Sequence, residues 1–427
     1  IGARFERLGP QLKESIKAFW APGLFWEELD WAYVGVVDGH DVGALRRALV
    51  EAFAAQRPVV VHIATVKGKG FAPAEEGGLE GMETWHAAKP NSISGGAPVA
   101  AKPASASAVP KPPTYTQVFG DAMVREIRRD RRVVGITAAM NTGTGLDIVQ
   151  KAEPEHYFDV GIAEQQAVLF AAGLALEGVK PVCAIYSTFL QRAFDQIVHD
   201  VALQNLPVVF ALDRSGAVPD DGETHQGIFD IALFRPVPGL SILTPASAAE
   251  MRLMLVWALE QGSPVLISYP KAPCPTEPEY FSLPVVSGRG VFVQREALDT
   301  LIVCTGGMYS EVHEAANLLG RSGKPVDILN LRFVKPLDEA WFLDAVHGYR
   351  NVVFVEDGVI TGSISRDLAA LLHTRSTVVY TDVLAFKEIF YPQGNRSEIL
   401  TAAGLSPAHI ADCVAALRER SLSDSFL

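Results

Sequence analysis

Tyr157-Phe158-Asp159-Val160-Gly161-Ile162-Ala163-Glu164-Gln165-Gln166-Ala167-Val168-Leu169-Phe170 changes character halfway along, and the reading of the chain starts there. Tyr157 to Val160 is β-type, Gly161 breaks the run, and Gln165 to Leu176 is spaced as a helix. One acid, Glu164, stands where strand becomes helix. A carboxylate in the first turn of a helix is favoured by the dipole and ordinarily faces water. This one sits among apolar residues ahead of an almost uncharged helix, which predicts that the helix is buried in an interface or core and the acid with it. A carboxylate kept in such a place holds a specific cation or a protonated ring nitrogen.

Outward from that stretch, helix and strand alternate. A helix near Thr116 and a strand Val133 to Thr137 precede it; Val182 to Tyr186, a helix Phe189 to Gln204, Pro207 to Asp213, a helix Ser247 to Glu260 and Pro264 to Tyr269 follow. That alternation predicts a doubly wound parallel sheet, with the polar clusters Thr137 to Asn141, Glu164, Tyr186 to Arg192 and Asp213 to His225 at its strand ends. Nearer the start, strand Ala32 to Val37, turn Asp38-Gly39-His40-Asp41, helix Val42 to Gln56 and strand Pro58 to Thr65 read as a parallel βαβ unit. By type His40 is a turn residue capping the next helix; by position, at the carboxyl end of a parallel strand, it is a ligand candidate. Lys67-Gly68-Lys69-Gly70 is a basic turn, weakly suggestive of phosphate contact. Residues 1–20 have roughly helical apolar spacing broken at Gly9-Pro10, and Trp85-His86 closes the first domain. An Ala/Pro/Ser-rich linker follows, and beyond Pro273 a third α/β unit begins near Val285. The expected division is residues 1–88, linker 89–114, 115–280 and 281–427.

Composition narrows the function. With 427 residues and 48% hydrophobic content the chain has material for two or three buried cores. A net charge of -12 argues against nucleic acid as a partner, so an anionic substrate needs a local group of Arg and Lys. Cys183, Cys274, Cys304 and Cys413 form no CxxC pair and read as thiols of a reducing cytosol, with no metal role. No apolar run reaches membrane-spanning length. The first residue is Ile1, and the expectation is a chain that begins partway through a larger protein.

Phe158 to Gln165, taken with Ala184-Ile185-Tyr186-Ser187-Thr188-Phe189-Leu190-Gln191-Arg192-Ala193-Phe194-Asp195-Gln196, resembles the pyrimidine-binding domain of the transketolase-like thiamine diphosphate enzymes. Asp38-Gly39-His40-Asp41 and Thr65 to Glu75 extend the resemblance over nearly the whole chain, and it is greatest to the synthases that condense pyruvate with D-glyceraldehyde 3-phosphate. The resemblance implies an α/β fold of three transketolase-like domains with mostly parallel doubly wound sheets, the first incomplete. It implies a transferase making 1-deoxy-D-xylulose 5-phosphate and carbon dioxide, for isoprenoid, thiamine and pyridoxal precursors, with thiamine diphosphate and magnesium as cofactors. Glu164 then bonds a ring nitrogen of the cofactor, Phe189 stacks on its pyrimidine and Ile162 helps to seat it. Tyr186, Arg192, Arg214 and Lys271 hold the substrate phosphate, while His40, Asp221 and His225 assist the chemistry. A cytoplasmic homodimer is implied, or an assembly in which the N-terminal segment is a separate chain. The third domain carries dimer contacts and no catalytic residue.

Four departures from the family pattern bear on this. Gln166 replaces a family histidine and cannot carry a proton; Lys271 replaces an arginine and loses its planar fork. Gly358 to Ile364 matches the family's glycine-rich motif only in part. No Gly-Asp-Gly occurs in the chain, although in the family that motif with a following Asn holds magnesium and the diphosphate. Two alternatives stay open: a relative with another acceptor, such as a transketolase or the β-subunit of a 2-oxo-acid dehydrogenase, and a silent paralogue that binds a partner chain.

Overall fold

The computed structural model describes residues 23–76, 85, 93–94, 97–98, 112–296, 298–375 and 379–423. The helical reading of residues 1–20, His86 and most of the linker lie outside the described residues. The chain divides into two units, residues 1–109 and 110–427.

In the first unit β1 (Ala32–Asp38) and β2 (Val59–Ala64) pair in parallel, joined by α1 (Val42–Ala54). The helix starts where it does because the Asp41 carboxylate accepts the Ala44 N–H at 2.9 Å. Asp41 is therefore the cap, which disposes of that reading of His40. Instead, His40 Nε2 accepts the Val66 N–H at 2.7 Å, tying the turn after β1 to the chain leaving β2.

The second unit has two sheets. The strands are β3 (Val133–Thr137), β4 (Tyr157–Asp159), β5 (Lys180–Tyr186), β6 (Val209–Asp213), β7 (Ser241–Leu243), β8 (Val265–Ser268), β9 (Val291–Gln294), β10 (Thr300–Thr305), β11 (Asp327–Leu331), β12 (Phe333–Lys335), β13 (Asn351–Val359) and β14 (Tyr380–Phe386). The first sheet has the order β12-β7-β8-β6-β5-β3-β4, and every pairing among β3 to β8 is parallel. These strands are Val-, Ile- and Leu-rich and mostly buried along their length, as strands covered by helices on both faces must be. Its last strand, β12, comes from the C-terminal module and pairs antiparallel with β7. The second sheet runs β9-β11-β10-β13-β14, parallel except for the antiparallel β9. Between the modules a fully buried pair forms: Arg332 Nε donates to Glu250 Oε1 at 2.6 Å, with Asn330 on the other oxygen.

The helix α2 (Glu164–Leu176) buries Ala167, Val168, Ala171, Ala172 and Ala175, while Leu169 and Leu176 stay exposed, so one face of it is covered within the chain. One expectation changes: the helix expected over Phe189 to Gln204 is a succession of short pieces. An α turn over Ser187–Leu190 tightens to 3-10 over Gln191–Ala193, passes through Phe194–Gln196 and widens to a π turn over Ile197–Ala202. The apolar spacing of the segment does not report such changes of pitch.

The C-terminal sheet buries two neighbouring acids. Glu356 on β13 is fully buried; its Oε2 accepts the Ser365 N–H at 3.0 Å, while Oε1 has no hydrogen-bond partner among the described residues. Burial pushes the Glu356 carboxyl up to about 7 and that of Asp357 up to about 6. A raised acid keeps its proton in the fold after the unfolded chain has lost it. Stability therefore falls as pH rises from the ordinary carboxylate range through about 7. Replacing Glu356 with Gln should remove about 1 to 3 kcal/mol of that decline. Thermal midpoints at pH 5 and pH 7.5 check this, and an undiminished loss in the variant contradicts it.

Candidate active site

Because β3, β4, β5 and β6 are parallel, their carboxyl ends share one rim of the sheet, and the chain winds away from β3 in one direction and from β5 in the other. Backbone in the uncommon left-handed region gathers there: Ala139, Arg214 and Asp220 have φ of 59°, 64° and 73°.

Glu164 is the first residue of α2 and only 3% exposed. Its two oxygens lie 3.3 Å from Nη1 of Arg192, whose side chain is half exposed. The 3-10 turn over Gln191–Ala193 brings Arg192 under Phe189, with the guanidinium carbon 5.6 Å from the ring centroid. Phe189 in turn stacks on Tyr186 at 5.9 Å and meets His225 edge-on at 5.2 Å. Tyr186 is covered on another side by Arg214, the guanidinium carbon standing 3.7 Å from the ring centroid.

Arg214 is held from below. Its Nη1 donates to Gly143 O at 2.5 Å and to Asp213 Oδ1 at 3.0 Å, while its buried Nε has no hydrogen-bond partner among the described residues. Asp213 ends β6 fully buried and also accepts the Thr116 hydroxyl at 2.6 Å. Burial pushes its carboxyl up to about 6 against the pull of Arg214 and Thr116. Burial likewise raises the Tyr186 phenol.

The structure thus joins five of the expected residues, Glu164, Arg192, Phe189, Tyr186 and Arg214, in one run of contacts, with His225 against Phe189. His225 Nδ1 lies 3.0 Å from the Thr224 hydroxyl. Lys271 and Asp221 form a separate ion pair at 2.7 Å, each about a third exposed. Ile162 is 79% exposed beside Glu164 in sequence, and His40 belongs to the first unit. Gln166 is exposed. The sequence reading passed over Asp213, Thr116 and Gly143 as individual site residues. Asp213 had a signal, being an acid that closes an otherwise apolar strand; Thr116 and Gly143 had none. Among the described residues no group of three or more His, Cys, Asp or Glu is arranged to hold a metal ion.

With this geometry in view, the known proteins are informative. Residues 111–276 match the transketolase pyrimidine-binding domain, residues 290–410 the transketolase C-terminal domain, and residues 1–65 the family described as 1-deoxy-D-xylulose-5-phosphate synthase. The chain belongs to the transketolase-like family, and its parallel sheets with a polar rim are that family's α/β architecture. Within the family it goes with the 1-deoxy-D-xylulose-5-phosphate synthases. It is 51% identical over 402 residues to the synthase of Treponema pallidum (strain Nichols) and 42% identical over 406 residues to that of Synechococcus sp. (strain RCC307). Each match covers 94% of this chain and 62% of the relative, so the chain spans about three fifths of their length. Among solved structures, a split-gene transketolase chain described as an inactive beta4 tetramer matches at 26% identity and TM-score 0.63, over 72% of this chain and 97% of that one. Transketolase from Campylobacter jejuni has the same fold, with TM-score 0.60 at 17% identity over 93% of this chain and 69% of that one.

Gly143 gives a direct test of the rim. A Cβ there would lie 1.6 Å from the Tyr186 hydroxyl, so Gly143→Ala must swing the ring off Arg214. The expected cost is about 1 to 3 kcal/mol by urea unfolding, with a crystal structure showing Tyr186 displaced. An undisplaced ring contradicts this packing.

Proposed function

We propose that the protein takes part, with thiamine diphosphate and magnesium, in condensing pyruvate with D-glyceraldehyde 3-phosphate to give 1-deoxy-D-xylulose 5-phosphate and carbon dioxide. The observation that carries the reading is Glu164, a carboxylate 3% exposed at the head of a helix, paired with a half-exposed Arg192 that lies in turn against the Phe189 ring. A buried acid whose cationic partner can turn away into water, next to an aromatic ring, suits an aminopyrimidine.

Bound thiamine diphosphate supplies a nucleophilic thiazolium carbon and a sink for the electrons that decarboxylation releases. The chain's own residues do the rest. Glu164 holds a pyrimidine nitrogen and fixes where the proton sits on that ring. Phe189 and Ile162 seat the ring, and the apolar cover keeps water from the carboxylate. Arg214, already fixed by Asp213 and Gly143, offers its remaining donors to the acceptor phosphate with Tyr186, Arg192 and Lys271. Asp221 and His225 attend the acceptor end, His225 as the group able to move a proton. The first unit's residues and the magnesium ligands are assigned no step. Homodimeric assembly goes with this reading. A second reading, in which a separate polypeptide supplies the diphosphate half of the site, draws on the likeness to the split-gene transketolase chain.

In the complete enzyme Glu164→Gln should lower kcat by about 10²- to 10⁴-fold; a near-normal rate sinks the assignment. Arg214→Lys, which keeps charge and loses the fork, should raise KM for glyceraldehyde 3-phosphate about tenfold with little change for pyruvate. Release of carbon dioxide from pyruvate, measured against ketol transfer from a sugar phosphate, separates this reaction from that of a transketolase.

A further inference from the structure

The loop that leaves β6 at Arg214 is closed at its neck by reciprocal backbone hydrogen bonds between Gly216 and Gly227, at 2.9 and 3.0 Å. Inside the neck the Gln226 side chain takes the Val218 N–H at 2.9 Å and reaches its carbonyl at 3.2 Å. Farther out, Asp220 holds a left-handed φ of 73°, and both of its backbone groups are met by the C-terminal module. Its N–H donates to Gly394 O at 3.0 Å, and Gln393 Nε2 donates to its carbonyl at 2.8 Å. Two residues past Gly394, Arg396 Nη1 donates to Ala217 O at 3.1 Å.

Arg396 is itself rigidly set. Nη2 donates to Gly307 O at 2.8 Å, and Nε pairs with Glu311 at 3.1 Å, where both side chains are at most 15% exposed. On the other side of the neck the Val359 N–H donates to Ile228 O at 2.8 Å. A non-glycine residue in the left-handed region persists only where its surroundings over-determine it, and at Asp220 Gln393 and Gly394 hold both backbone groups.

We infer that Gln393 and Arg396 are positioning residues of the acceptor site. By fixing Asp220 and Ala217 they keep Asp221 against Lys271 and His225 against Phe189, so the C-terminal module sets the affinity of the rim for a three-carbon phosphate ester. This rests on the reading above, in which the loop faces the phosphorylated acceptor. Neither residue touches substrate; each acts through the loop.

The test uses the full chain and its Gln393→Ala and Arg396→Lys variants. The first removes one hydrogen bond from an exposed side chain; the second keeps the charge facing Glu311. Hydrogen exchange should quicken about 3- to 10-fold at the amides of residues 217–225 in each, with β10 and β13 unchanged. Affinity for glycerol 3-phosphate, an unreactive ester of the right size, should fall by a similar factor in calorimetry while pyruvate binding holds. Unaltered exchange in both variants overturns the inference, as does a rise spread evenly over the chain or a faster loop with undiminished ester affinity. If the unaltered chain fails to retain the ester, the acceptor reading is what fails, and the exchange rates alone decide whether the clamp exists.

Discussion

Charge withdrawn from water has to be answered, and along the rim of the first sheet each buried acid has at least one partner from another element. Glu164 has the guanidinium of Arg192, Asp213 has Thr116 and Arg214, and Asp230 has the Ile231 N–H and the Ser268 hydroxyl. The partners come from the helix ahead of β3, the turns after β5, the loop after β6 and the end of β8. Satisfying the acids therefore aligns those loops with one another. Arg214 shows how far this goes: one side chain pins the turn after β3, neutralises the end of β6 and covers the ring that ends β5.

Much of the scaffold was legible because long apolar runs have few ways to be buried. The strand Val133–Thr137 was read to the residue, and parallel pairing followed from the alternation with helices. The short strands Ser241–Leu243 and Phe333–Lys335 were not recognised as a pair, since three residues carry no usable period and their partnership spans the boundary between modules. The broken helix after Tyr186 escaped for a related reason, a change of pitch leaving the apolar count intact.

At the site, Glu164 was conspicuous as an acid in an apolar setting and its burial agrees with that. Its pairing with Arg192 was not readable, nor was that of Asp221 with Lys271, because residues 28 and 50 apart meet only through the sheet. The near absence of charge in α2 pointed to burial in an interface or core, and within this chain one face of the helix lies in the core while Leu169 and Leu176 stay exposed. The C-terminal module, read as a source of dimer contacts, also reaches into the loop bearing Asp221 and His225.

The strand Phe333–Lys335 completes the first sheet at β7 although more than sixty residues separate it from the last strand of that sheet's own module. During synthesis, then, a nascent chain that has emerged only as far as residue 280 displays an open sheet edge with unpaired backbone groups. Until the second module follows it out of the ribosome, that edge is free to recruit a strand from a neighbouring polypeptide.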